Sequence, residues 1–218
     1  MADIRLNTDE LFAEITPAGT SYLVADSKAD GVKKLLTEIL LYGNTAPLTA
    51  TVIKDWTKNN DEKGAFQAIY RLQKLGLIRG TKKPRPYSTG AIDDLLPLFL
   101  SHLSAESKAL LADDNGLYVA SSGFPHESAE ELAAVAADLT GVYTKHKLLL
   151  QKNLRIPSYS WGLIEPNGLA NLSFFNLYVN DVLFTLVIGG NPRLGHFSFV
   201  ELIYQLLTRY TEKLKREK

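Results

Sequence analysis

Apolar and polar positions fall into clear blocks along this chain, and the most informative block runs from Ala109 to Leu139. ALLADD and GLYVASSG are two short apolar runs around a polar turn. Such runs, bounded by turn residues, predict two strands. Asn115-Gly116 between them predicts a tight hairpin, because these residues accept positive φ at both central positions. SAEELAAVAADL follows. Ser128 and Glu131 form a capping box, which predicts a helix from Ser128 to about Leu150. Its many alanines predict close packing on another element.

The rest of this half reads in the same way. Ile92, Leu95, Leu96, Leu98, Phe99 and Leu103 make a helix with a broad apolar face. Ser158 to Glu165 (SYSWGLIE) and Leu169 to Val179 read as strands joined by Pro166-Asn167-Gly168. Asn180-Asp181 makes a further turn. Val182 to Ile188 is apolar at every position but Thr185, so both faces of this strand are covered and it should be central in its sheet. Phe197 to Leu214 is a closing helix, and the basic end at 215–218 is a solvated tail.

The first half has a different rhythm. Leu11 to Ile15 and Tyr22 to Ala25 read as short strands or as partly disordered, within an ambiguous segment, 1–30. From Gly31 the period is helical, through Val32, Leu35, Leu36, Ile39 and Leu40. Thr49 caps a second short helix that ends at Trp56. Lys63 to Leu75 is a third, with Gly76 as its stop. Leu77-Ile78 begins a strand that runs toward TKKPRPYSTG, where Pro84, Pro86 and Gly90 break periodicity. Residues 88–91 read as a linker.

Composition adds exclusions. The chain has 218 residues, 24 basic and 24 acidic, so its overall charge names no partner. Cysteine is absent, which excludes disulfides and thiol chemistry and fits a reducing compartment. The first residues, MADIRLNTDELFAE, have no apolar core and are no signal peptide. No apolar run reaches the roughly 18 residues a membrane helix requires. The expectation is a soluble cytoplasmic protein with no membrane insertion.

Candidate chemistry is sparse. Gly190-Asn191-Pro192-Arg193-Leu194-Gly195 follows a strand and precedes a helix, the setting of a phosphate loop. His196-Phe197 stands where such a loop needs Lys and then Ser or Thr, and Pro192 lacks an N–H, so a plain connection is expected. His102, His126, His146 and His196 show no helical metal-ligand spacing. Ser121, Ser122 and His126 lack a nucleophile elbow and an orienting acid. Asp113-Asp114 sits where a turn favours Asp. The expectation is no enzyme, no metal and no cofactor.

The order helix, two strands, helix, three strands, helix, carried by ALLADDNGLYVASSG, EELAAVAADL and LFTLVIGGNPRLGHFSFVELIYQLL, resembles the roadblock family, named for a dynein light chain. Longin and profilin-like domains share much of this pattern. The resemblance spans 92–214. Residues 31–87, through AIYRLQKLGLIRG and a basic hairpin, resemble a winged helix-turn-helix. Together they imply an α+β chain: an N-terminal winged helix-turn-helix, then a roadblock/longin-like five-stranded antiparallel sheet with helices on its faces.

The roadblock resemblance implies a non-enzymatic dimeric adaptor that scaffolds or regulates a Ras-like GTPase. By the family order the strand from Ser158 lies at a sheet edge. Ser158, Tyr159, Ser160, Trp161, Gly162 and Leu163 would then pair with a second copy, with Ala133, Ala136 and Ala137 allowing the helices to approach. Glu130, Asp138, Lys145 and Lys147 would rim the GTPase platform. The alternative is a DNA-binding regulator dimerised by its second half. Between Lys63 and Arg85 there are seven basic residues and no acidic one. Lys63, Gln67, Arg71 and Lys74 form one helical stripe, with Ala65, Ala68, Leu72 and Leu75 toward the core. With Lys82, Lys83 and Arg85 they make a layout that suits the phosphates of duplex DNA.

Overall fold

A computed structural model describes residues 11–28, 30–156 and 160–216, with side chains through Arg209. Contacts divide the chain into two units, the first running to Val24 and from Lys28 to Ser88, the second taking Ala25–Ser27 and the residues from Thr89 on.

The first unit begins earlier than periodicity indicated. Its elements are β1 (Phe12–Ile15), α1 (Pro17–Val24), α2 (Gly31–Tyr42), α3 (Ala50–Thr57), α4 (Glu62–Lys74) and β2 (Ile78–Thr81). The strand expected at Tyr22 to Ala25 is instead the end of α1. Thr16 and Pro17 set that helix: the Thr16 hydroxyl accepts from Gly19 N at 3.1 Å, and Pro17 stands where a helix has no use for an N–H. Asp30, Thr49 and Asp61 cap the next three helices through side-chain oxygens. Ile15, Leu36, Ile39, Leu40, Ile53, Ala65, Ile69 and Leu72 are buried between them.

Among the described residues of the first unit no strand follows β2, so the basic hairpin expected there is not formed. β2 pairs antiparallel with β1, from Phe12↔Thr81 to Ile15↔Ile78. Pairing across more than sixty positions leaves no local trace in the sequence. Along α4, Ala65 and Leu72 are buried as expected, while Ala68 is half-buried and Leu75 is exposed.

The second unit is one antiparallel sheet in the order β4-β3-β7-β6-β5. Its elements are α5 (Ile92–His102), β3 (Ala109–Asp113), β4 (Tyr118–Ser122), α6 (His126–Leu148), β5 (Ser160–Ile164), β6 (Ala170–Val179), β7 (Val182–Gly189) and α7 (Phe197–Arg216). β7 is buried from Phe184 to Gly189 and lies between β3 and β6, the central place its apolar run requires. α6 packs Ala129, Ala133 and Ala136 on Leu110, Ala112, Phe174 and Val187 of one sheet face. Alternation along the strands sends Leu111, Phe184, Leu186 and Ile188 to the other face. α5 and α7 pack against each other, α5 also on β3 and β4, and α7 on β6.

Two local expectations shift by a residue or two. α6 starts at His126, with Pro125 at its cap position, so Ser128 and Glu131 lie inside the first turns and do not mark the boundary. The β3–β4 turn places only Gly116 at positive φ, 81°. Asp113 Oδ1 accepts from Asn115 N and Leu117 N at 3.0 and 2.9 Å, and Asp113 N donates to Leu117 O at 2.9 Å. This is a three-residue loop with a left-handed glycine, not a two-residue Asn-Gly turn. The Glu165–Leu169 loop repeats it, with Gly168 at φ 85°.

Candidate docking surface

The loop from Gly190 to Gly195 is tied to the α5–β3 connection. Arg193 N donates to Leu103 O at 2.8 Å, and Ala105 N donates to Asn191 O at 3.0 Å. The Ser104 hydroxyl donates to Gly189 O at 2.6 Å. An amide that a phosphate cradle would aim outward is thus engaged within the fold.

The histidines divide. His102 and His196 meet, with ring centroids 5.1 Å apart. His102 Nδ1 lies 3.0 Å from Ser198 Oγ, and Ser198 N donates to His196 Nδ1 at 3.2 Å. His196 therefore caps α7 with its ring, a role that sequence spacing did not reveal. His126 Nδ1 lies 2.6 Å from Tyr118 Oη, and its Nε2 is 3.5 Å from Glu130. Ser121 Oγ is buried without a hydrogen-bond partner, so the imagined Ser–His pairing is not assembled. Among the described residues no three metal-ligating side chains converge, and no helix is long and apolar enough to cross a membrane.

β5 lies at the sheet edge, hydrogen-bonded to β6 alone. Ser160 and Gly162 are exposed, and Trp161 packs toward the α6 layer. Leu163 and Ile164 are 60% and 69% exposed. No Lys or Pro interrupts the strand, and natural edges are usually blunted by such residues. Ser158 and Tyr159 lie outside the described residues.

α6 presents a different face from the one expected. Ala133 and Ala136 are fully buried against the sheet, and Ala137 sits beside Gly116 of the β3–β4 turn, so these three are occupied within the unit. An Ala-rich helix has small residues on every side, and its pattern cannot orient it. At about 100° per residue, the outward line instead carries Glu127, Glu131, Ala134, Asp138, Gly141, Val142 and Lys145, with Leu148 flanking it at the end of α6 and Leu149 opening the π-helical turn Leu149–Asn153 that follows. Val142, Leu148 and Leu149 are exposed large apolar side chains, and a Cβ at Gly141 would meet nothing within 4 Å. Asp138 and Lys145 stand on this line, Glu130 flanks it, and Lys147, although exposed, points to the sheet side beyond buried Tyr143. The acids occupy the first half of the helix and the bases Lys145 and Lys147 the second.

In the first unit Lys63, Gln67, Arg71, Lys74, Lys82, Lys83 and Arg85 are all exposed. Arg79 is not part of that surface. It pairs with Glu14, its register partner on β1, and Glu14 is buried.

No family model and no curated protein matches the chain. Solved structures similar to it include the following two. A roadblock/LC7 domain from Streptomyces avermitilis shares 13% identity at a TM-score of 0.39, over 56% of this chain and 99% of that one. MglB of Myxococcus xanthus shares 12% identity at a TM-score of 0.39, over 56% of this chain and 95% of that one. In element order, central last strand and exposed third strand, the second unit resembles a roadblock-type domain.

Proposed function

We propose that the chain is a non-enzymatic homodimeric adaptor, with the second unit as both dimeriser and docking platform. The observation that carries this reading is the unblocked β5 edge. It bears exposed Leu163 and Ile164 and accompanies an α6 whose outward face is apolar toward its end. A free edge of this kind is a template for strand addition, and a two-fold axis satisfies it with one identical copy. The charge order along α6 favours an antiparallel meeting of the two helices. Glu127, Glu131 and Asp138 of one copy then lie toward Lys145 of the other. Ala134 and Gly141 replace Ala133, Ala136 and Ala137 as the small residues that permit close approach.

The resemblance to the roadblock family makes a Ras-like GTPase the partner class, docked on the rigid surface of the paired helices with Glu130, Asp138 and Lys145 as its polar rim and Lys147 left out of it. The chain has no cysteine, so Gly141→Cys provides a clean test of the helix pairing. Oxidation is expected to give a cross-linked dimer, and a chain that stays single contradicts the pairing. Gel filtration with candidate GTPases carrying GDP or a GTP analogue tests the partner. Co-elution that Lys145→Glu abolishes supports the platform, and no co-elution in either nucleotide state removes it.

A further inference from the structure

The first unit holds charge that its own fold leaves unanswered. Residues 11–88 contain twelve Lys and Arg against seven Asp and Glu, whereas residues 89–218 contain eleven against fourteen. The balanced total therefore conceals a basic unit and an acidic one. The excess is concentrated after Glu62, since 63–88 contains no acid. Arg79 is answered by Glu14, and Glu62, the one acid of α4, is held by Lys54 at 2.8 Å. Lys63, Arg71, Lys74, Lys82 and Lys83 are exposed and have no ion-pair partner among the described residues.

α4 arranges these cations. Ala65, Ile69 and Leu72 define its buried side. With about 100° per residue, Lys63, Gln67 and Lys74 point within about 30° of the opposite direction, and Tyr70 and Arg71 within about 60°. Tyr70 is 49% exposed. The row spans eleven positions, about 16 Å at 1.5 Å per residue. Lys82 and Lys83 follow β2, where the Thr81 hydroxyl donates to Lys83 O at 2.8 Å and accepts from Lys83 N at 3.3 Å, fixing a tight bend.

We infer that the first unit binds duplex DNA, with the outward face of α4 lying along a groove and Lys82 and Lys83 on the adjacent phosphates. A straight helix of this width enters the major groove, which is about 12 Å across. Lys63, Arg71 and Lys74 would neutralise backbone phosphate, and Gln67 and Tyr70 stand between them with hydrogen-bonding groups that reach base edges. An anionic membrane fits less well, because this face lacks the run of large apolar side chains that inserts between lipids. Single strands are held by several stacking aromatics, and this face has Tyr70 alone. The inference concerns a surface apart from the β5–α6 platform and does not depend on it.

The test is fluorescence anisotropy of the full chain with a labelled 30-base-pair duplex of mixed sequence. Titrations run from about 50 to about 200 mM salt, the range in which phosphate contacts lose affinity most visibly. Saturable binding that falls steeply with salt is expected. Lys82→Ala with Lys83→Ala should flatten the log–log salt slope by between one and two units, at about 0.9 per phosphate contact. Arg71→Glu with Lys74→Glu should abolish binding, while circular dichroism shows both variants folded. Lys108→Ala with Lys152→Ala removes equal charge from the second unit and should change nothing. The inference is overturned by no binding to duplex at the lowest salt. Equal losses in the Lys108/Lys152 variant, or binding to phosphatidylserine vesicles or single strands in preference to duplex, overturn it too.

Discussion

Gly19 sits where α1 meets the start of β2, and replacing it with Ala puts a methyl group into backbone. The added Cβ would lie 2.0 Å from Leu77 O and 2.9 Å from Ile15 Cγ1. Relief to ordinary contact takes a shift of roughly 1 Å or more, since carbon and oxygen pack no closer than about 3.2 Å. That shift strains the hydrogen bonds that join the two elements, Thr16 N to Leu77 O at 3.0 Å and the Thr16 hydroxyl to Gly76 O at 2.6 Å. Overpacking of this kind costs about 1–3 kcal/mol, and weakening two hydrogen bonds adds about 1–2 kcal/mol. Better helix propensity returns about 1 kcal/mol. The net loss is about 1–4 kcal/mol, a fall in the first unit's Tm on the order of 10 °C for a domain of this size. Gly31→Ala is the matched control, because nothing lies within 4 Å of a Cβ there at the start of α2. It should be neutral or stabilising by up to about 1 kcal/mol. Differential scanning calorimetry of both variants reads the difference. A Gly19→Ala chain as stable as Gly31→Ala would refute the packing of α1 on β2, and with it the inclusion of residues before Gly31 in the first unit.

Leu163→Lys should weaken self-association. Burying the exposed part of Leu163 in both copies contributes about 2–4 kcal/mol, so the dissociation constant should rise by about 30-fold or more in sedimentation equilibrium. Asn176→Ala should cost about 2 kcal/mol in urea melts. Asn176 Oδ1 accepts from the Thr140 and Thr185 hydroxyls at 3.3 and 3.2 Å, and without it the buried Thr185 and half-buried Thr140 hydroxyls keep only each other, 3.4 Å apart. Replacing Thr140 and Thr185 by Val in the same chain should recover part of that loss, and additive costs would contradict the network. His196→Ala should lower the second unit's stability by about 1 kcal/mol through loss of the α7 cap, and His196→Asp should restore it in the same melts.

The parts legible in the sequence are those fixed by local signals. The run from Val182 to Ile188 shows a covered strand because seven residues cannot hide an exposed face. Thr49 and Gly76 mark helix ends through side-chain and backbone needs that act within a few residues. What escaped depends on distant partners or on near-degenerate choices. β2 finds its neighbour in β1, far back along the chain, so the single strand reads as half of a hairpin. α1 is a short helix carrying Tyr22, Leu23 and Val24, which read as strand until its Thr16-Pro17 start is weighed. At Asp113 the side chain captures two backbone amides, and that moves the turn by one residue relative to Asn115-Gly116. α6 has alanines all round, so the choice between Ala133 and Ala134 as the outward residue is made by the sheet beneath it. Lys63 and Lys74 are exposed because they stand on the side of α4 opposite Ala65, Ile69 and Leu72, where a charged stripe faces water.

The central claim is that the β5 edge and the outward face of α6 make this chain a dimer. Multi-angle light scattering coupled to size exclusion measures that without a partner or a label. One chain weighs 24.1 kDa. The account predicts a mass twice that across micromolar concentrations, reduced toward the single-chain value by Leu163→Lys. A mass of one chain throughout, or an unchanged double mass in the variant, would contradict it.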